Sequence, residues 1–537
     1  MKNPTICFLV LLCMPFSGLC QVPEVILNDL IVSNAYKSSE RIDSIYYFSG
    51  HNGDFDQELW RSNGSPEGTY RVAEINPEGS AWPGELTRVG ETLFFMAANQ
   101  DAPEQLYKTD GTEEGTQWIF DVDPDQQEQY HMLTSAGGLL YFRTSRPVIF
   151  TELWVTDGTN ENTHMVADIC ENEISYPHEL TEFNGSLVFI AEDCEGGGGT
   201  LYRTEGLNGS VLQIGGKQVR QLMTNDDHLY FVSTFEDYGG ELGGSDGSVS
   251  DISRISDINP GAGSSDIYHL TQLDTLLFFR AFEPIHGAEL WSYNLNSSLV
   301  NLVKDICVSP DATNSSFPGQ LISYQGKLFF QANDGVHGNE LWISDGTEEG
   351  TFMLKNINEE PGDVPYHSSP GNFFATEKQL YFVADDGIHG FELWQTDGTA
   401  EGTRMTADIW PQSNQSSDPG GFAEIGDYLV FNGWYGKRTL LRLKIHNTSS
   451  LGVEAPLSAP PLFHLYPNPA HSSIIFEPGT KTDIRYRVLD LSGRELLHGF
   501  IRNGNKTLLD LSSLGSGLYF IQGESKDASQ TTKITLD

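Results

Sequence analysis

Positive charge is what this 537-residue chain has least of. It carries 31 Lys and Arg against 74 Asp and Glu, a formal net charge of −43. Charged residues make up only 20% of the chain, so the acidity comes from missing bases more than from acidic runs. Nucleic acid is excluded as a partner, because phosphate binding needs a cationic face. Anionic membrane surfaces are disfavoured for the same reason. Long apolar runs are missing too: after residue 20 nothing approaches the roughly 18 continuous apolar residues of a membrane-spanning helix. No segment sustains a helical period. Neither a CxxC pair nor a Cys/His spacing suggests zinc. A nucleophile elbow, a phosphate loop, HExxH and a dinucleotide fingerprint are likewise absent from the sequence.

Hydrophobic residues at 38% and aromatics at 11% are enough to build cores. The 55 Gly and 25 Pro mark a turn-rich chain. Residues 1–20 read as an export signal: Lys2 gives a positive start, residues 6–14 are apolar, and Gly18 and Cys20 precede a cut before Gln21. The alternative is a lipoprotein signal with Cys20 lipidated, against which stands the bulky Leu19. Removing the signal leaves Cys170, Cys194 and Cys307. An odd count allows at most one internal disulfide. Cys170 and Cys194 are the nearer pair, which would leave Cys307 free; three buried thiols are the other reading.

The main signal is a repeat. Glu58-Leu59-Trp60 returns as Glu152-Leu153-Trp154, Glu289-Leu290-Trp291, Glu340-Leu341-Trp342 and Glu392-Leu393-Trp394. Weaker copies put the central Leu also at 106, 201, 242 and 440, a period of about 48 residues that suits a four-stranded propeller blade. An aromatic or apolar pair such as Phe329-Phe330 or Tyr381-Phe382 precedes each copy. A turn follows at Asp110-Gly111-Thr112, Asp157-Gly158-Thr159, Asp345-Gly346-Thr347 and Asp397-Gly398-Thr399, where Asp and Gly tolerate positive φ. The expected fold is all-β, an eight- or nine-bladed β-propeller over 21–446. The last unit lacks a clear fourth strand. Val25-Ile26-Leu27 near the start is an orphan strand whose pairing would close the ring and remove both sheet edges. The unit at Leu242 is short, and the one at Tyr293-Asn294 has no DGT turn.

These copies resemble the ELWxxDGTxxGT repeat proteins of bacterial envelopes and secretomes. The copies at 340–351 and 392–403 match almost letter for letter. The resemblance implies secretion and a propeller, and little about activity.

Composition changes at 447–461, a Pro/Ser/Thr linker. Alternating runs over 462–537 predict a small β-sandwich. Its Tyr466-Pro467-Asn468-Pro469 opening, the segment 489–496, the segment 511–521 and the terminal Lys533-Ile534-Thr535 strand resemble the C-terminal sorting domain of the type IX secretion system of the Bacteroidetes group. That implies the type IX machinery as a partner, passage through the periplasm, and release or surface attachment.

Chemistry has to come from the repeats. His286, His337 and His389 each lie five residues before a repeat Trp. Equivalent points on successive blades radiate apart, so a structural role bonding the loop backbone is expected in place of a shared metal. The Asp110, Asp157, Asp345 and Asp397 turns invite calcium, but an EF-hand-like loop needs several alternating oxygens, so turn capping is expected and no cofactor is required. Trp60, Trp154, Trp291, Trp342 and Trp394 are expected to be structural. No catalytic residue emerges, and whether a metal binds is open. The sequence points to a secreted or surface-displayed, non-enzymatic binding or adhesion protein with a glycan or protein ligand. The alternatives are a polysaccharide hydrolase or lyase on the same scaffold, and a rigid spacer.

Overall fold

A computed structural model describes residues 23–445 and 463–536, except 34–36, 54–55, 101, 103, 123–130, 147–148, 171–172, 193–197, 208–209, 226, 309–314, 360–366, 412–414, 467–472, 479–482, 491–493, 503–505 and 526–528. The signal at 1–20 and the linker at 447–461 lie outside the described residues. Every regular element among the described residues is a β-strand. The chain divides into two compact units, Met1–Asn447 and Thr448–Asp537.

One repeat shows how the first unit is built. Gly319–Tyr324, Lys327–Asn333, Asn339–Ser344 and Phe352–Lys355 form an antiparallel meander from inner to outer strand. Period-2 alternation sends Phe329 and Leu341 into one core with Phe382 and Trp394. Their neighbours Phe330 and Trp342 enter another with Phe278 and Leu290. Each sheet is therefore buried on both faces, which explains its aromatic pairs.

Nine antiparallel sheets follow one another, eight of four strands and the first of five. In chain order, blades 1 to 8 span 31–71, 84–121, 134–167, 178–215, 220–254, 268–304, 319–355 and 371–407. Blade 9 is 420–444 plus the N-terminal strand Glu24–Val25. The inner strand Ser39–Ile42 of blade 1 adjoins both Gly84–Val89 of blade 2 and Gly420–Ile425 of blade 9, so the ring is closed. Glu24 and Val25 pair with Arg442 and Leu441, and Ile26 N donates to Leu440 O at 3.1 Å. The first strand thus completes the last blade, and no open edge remains between them. Of the two blade counts the sequence allowed, nine is the one formed. The short unit at Leu242 still makes four strands, because only its connections are trimmed.

The inner strands of blades 2 and 4 to 9 begin with a bulge. In blade 7 the register shifts between Gly319 and Ile322, with Gln320 at φ 54°. Glu85, Glu179, Gln221, His269 and Asn372 take the same left-handed φ. The bulge turns the strand at the crowded axis.

In the second unit Phe463–Tyr466, Ser473–Pro478 and Thr507–Asp510 form one sheet. Glu495–Ile501, Ile484–Leu489, Gly517–Glu524 and Ser529–Leu536 form the other. Ile474 and Phe476 from the first share a core with Val488, Ile521 and Ile534 from the second, which makes a small β-sandwich.

Candidate functional site

Antiparallel blades alternate their connections between the two faces of the ring. The hairpins after the inner strand and the DGT turns lie on one face, called here the turn face. The second-to-third hairpins and the loops between blades lie on the other, the loop face.

On the turn face, Asp345 Oδ1 accepts from Thr347 N at 3.0 Å and Thr347 Oγ1 at 2.7 Å. Asp110, Asp157 and Asp397 cap their turns in the same way. These bonds favour the ionised form and hold all four carboxyls below the usual range. Gly346 sits at φ 90°, and a Cβ there would collide with Leu276 Cδ1 in the preceding blade. The DGT glycine is required for the turn, where its positive φ recurs at Gly111, Gly158, Gly346 and Gly398.

The glutamate of each ELW triplet organises the loop face. Glu340 is fully buried. Its carboxylate accepts from Ile357 N at 2.7 Å and Ser368 Oγ at 2.6 Å, tying the third strand to the end of the outer strand and to the loop entering blade 8. Glu152, Glu289 and Glu392 hold Ser175, Ser316 and Ser417 in the same manner. Burial outweighs these bonds and pushes Glu58, Glu152, Glu289, Glu340 and Glu392 up to about 7. The sequence displayed these glutamates in the repeat without revealing their role, since Ser368 is 28 positions away.

The residue after each tethered serine is held at positive φ and projects from the loop face. Tyr176 follows Ser175 at φ 48° and Phe317 follows Ser316 at φ 46°. Trp82 holds the same place in blade 1's exit loop at φ 51°, after Ala81 in place of a serine. Their backbone amides donate to the carbonyl just before the ELW glutamate: Trp82 to Gln57, Tyr176 to Thr151, Phe317 to Ala288. Trp82, Tyr176 and Phe317 are 66%, 47% and 56% exposed. Asp266, Ser369 and Asp418 occupy the same place elsewhere. A constant scaffold therefore presents a variable side chain from blade to blade. Arg143 lies 4.4 Å from the Tyr176 ring centre, and Arg280 lies 6.0 Å from that of Phe317. These are two of the chain's few cations. The second-to-third hairpins on the same face expose Ile285, Val336, Ile388 and Trp434.

The residues singled out from the sequence fall as follows. Trp60, Trp154, Trp342 and Trp394 are buried between blades, and Trp291 is partly buried. His337 and His389 each bond a carboxylate of their own loop, Asp334 and Asp386, at 2.7 Å; His286 bonds Glu283. A carboxylate, not a backbone carbonyl, takes each imidazole, and the three histidines stay on three separate blades. Cys170 is disulfide-bonded, Cys307 is free and buried, and Cys194 lies outside the described residues. Asp56, Glu58 and Glu74 bring carboxylate oxygens within 4.8 Å of one another. Arg71 pairs with both Asp56 and Glu74 and supplies the countercharge itself.

Residues 464–537 match the family described as a secretion system C-terminal sorting domain. The sorting domain marks the chain for export, to the cell surface or the medium, and makes the secretion machinery a partner. No helix among the described residues is long and apolar enough to cross a membrane. No curated protein matches the chain. Solved structures similar to it include a mutant puromycin hydrolase, with 12% identity and a TM-score of 0.33 over 66% of this chain and 58% of that one. A prolyl endopeptidase structure has 10% identity and a TM-score of 0.37 over 66% and 53%. The extracellular domain of a putative one component system from B. thetaiotaomicron has 10% identity and a TM-score of 0.29 over 94% and 80%. This chain spans little more than half the length of the hydrolase and endopeptidase. Likenesses this distant carry no information on activity.

Proposed function

We propose that the protein is a non-enzymatic recognition module, exported by the type IX system and displayed at the cell surface or released, whose loop face engages a glycan or protein ligand. One observation carries this reading: exposed aromatic side chains recur at a single blade position, Trp82, Tyr176 and Phe317, each on a backbone fixed by its own blade. Exposed rings on a rigid frame suit stacking against sugar faces or side chains, since little entropy is lost on binding. The repeat spreads similar contacts around a ring, which serves recognition over a broad surface better than one reaction centre. The ELWxxDGT resemblance agrees with this use and adds no activity to it.

The test is a glycan array and a surface pull-down with the mature chain, alongside a Trp82→Ser, Tyr176→Ser, Phe317→Ser triple variant. Binding by the parent and its loss in a variant of unchanged melting temperature supports the reading. Retained binding in the triple variant sets it aside.

A further inference from the structure

Near the start of five inner strands a polar side chain is spent on backbone beyond its own blade. Lys37 Nζ donates to Leu133 O. Glu85 accepts from His131 N and Leu133 N, and Glu179 from Gln221 N and Leu222 N. Gln221 accepts from His269 N, and Asn372 Nδ2 donates to Pro419 O. At the start of the third strand, Gln57 is spent on Ser49 and Glu104 on His131. Blade 7 departs from this economy. Among the described residues, the side chains of Gln320 on its inner strand, Gln331 on its second and Asn339 on its third have no hydrogen-bond partner. Gln320 is exposed, and Gln331 and Asn339 are half-buried. Three adjacent strands thus each present an unspent amide toward the loop face.

The three amides line one cleft of about 540 Å³ between blades 7 and 8, within the size range of small-molecule sites. Blade 8 contributes Phe391, half-buried, and Ser369, which stands at the exit-loop position that carries a ring in blades 1, 3 and 6. A Cβ on Gly319 would lie 3.3 Å from Gln331 Nε2 and 3.6 Å from His269 Nε2, so a bare backbone position separates this amide from the imidazole of blade 6. No Asp, Glu, Lys or Arg is among the described lining residues, although charged residues make up 20% of the chain. Amides both donate and accept, which matches the neighbouring hydroxyls of a sugar, and an aromatic ring suits its apolar face. An anion would find no countercharge in the cleft, and the net charge of −43 repels polyanions at a distance.

We propose that this cleft binds an uncharged sugar unit of a glycan chain, with Gln320, Gln331 and Asn339 on its hydroxyls and Phe391 against its ring. This rests on the recognition reading of the loop face and narrows its ligand to a neutral glycan.

A glycan array of neutral and uronate chains tests it, followed by titration of the mature chain with cellohexaose, laminarihexaose, mannohexaose and hexagalacturonate. Saturable binding of a neutral hexasaccharide is expected, and none of hexagalacturonate. Two variants then probe the cleft, Gln320→Met with Gln331→Met, and Asn339→Leu. Each removes hydrogen-bonding groups at nearly constant volume. The replaced amides have no partner within the protein, so the melting temperature stays unchanged. The double variant is expected to weaken binding about tenfold or more, and Asn339→Leu to weaken it less. Binding of uronate chains alone, no glycan binding at all, or neutral binding that both variants leave intact each overturns the proposal. Capture of a protein alone overturns it too, and if that capture is lost in the Trp82, Tyr176 and Phe317 triple variant the recognition reading survives. Neutral binding lost in the amide variants but kept in the triple variant supports the cleft and sets the aromatic surface aside.

Discussion

Ser368 Oγ donates to the buried Glu340 Oε2 at 2.6 Å, joining the third strand of blade 7 to the loop that begins blade 8. The same carboxylate takes Ile357 N, so one side chain satisfies donors from two segments. Glu340→Ala leaves those donors buried and unpaired, which costs about 1–3 kcal/mol for each group. Urea unfolding of Glu340→Ala is expected to show a loss of that size. Trp342→Phe, which keeps a ring between the blades, is expected to lose less. Equal losses in the two variants would deny the glutamate its part in shaping the loop face.

Glu58, Glu152, Glu289, Glu340 and Glu392, pushed up to about 7 by burial, set a pH dependence. The folded protein binds more protons than the unfolded chain between the ordinary glutamate range and about 7. Their contribution to stability is complete below the unfolded pKa and is lost as pH rises through about 7. The turn aspartates work in the opposite sense. Their depressed pKa values contribute stability above the ordinary aspartate range, and it is lost as pH falls below that range. Melting temperature is therefore expected to be higher near about pH 5 than near about pH 8, with a fall in stronger acid. A melting temperature that climbs over that interval would contradict this.

Asp345 uses one oxygen for both turn bonds, and its other oxygen meets Lys327 Nζ at 3.2 Å. We propose that the DGT aspartates cap turns and hold no ion. Asp345→Ala is expected to cost about 1 kcal/mol, the usual effect of losing a side-chain cap, and Asp345→Asn less. Millimolar calcium is expected to leave the melting temperature of the parent unchanged; a clear rise would reinstate calcium at these turns.

Cys170 is bonded and Cys307 is not. We propose Cys194 as the partner of Cys170. Peptide mapping of the non-reduced secreted protein is expected to find one disulfide linking Cys170 to Cys194, and one alkylatable thiol at Cys307 after denaturation. A Cys170–Cys307 link would contradict the pairing.

Much of the fold was legible because each blade restates it. The Phe329-Phe330 pair and the Leu341-Trp342 pair announce a strand buried on both faces, and Asp345-Gly346-Thr347 announces a turn. Val25 was readable as a closing strand because blade 9 runs out of sequence after Lys444. The proposed recognition surface was not legible. Trp82 and Trp342 are the same letter, and only the exit loop, with its left-handed φ and its tether near the axis, turns one outward while the other is buried. The irregular turn of blade 6 was visible, since the missing DGT at Tyr293-Asn294 stood out.

The fold and the proposed recognition surface rest on a nine-bladed ring clasped by its first strand. Hydrogen exchange of the amides at residues 24–27 tests that most directly. Strand pairing with 440–442 predicts that the Ile26 amide is protected as strongly as the amides of Tyr428–Trp434 in the same blade. Exchange of Ile26 at the rate of an unfolded peptide, with the 428–434 strand still protected, would show an open ring.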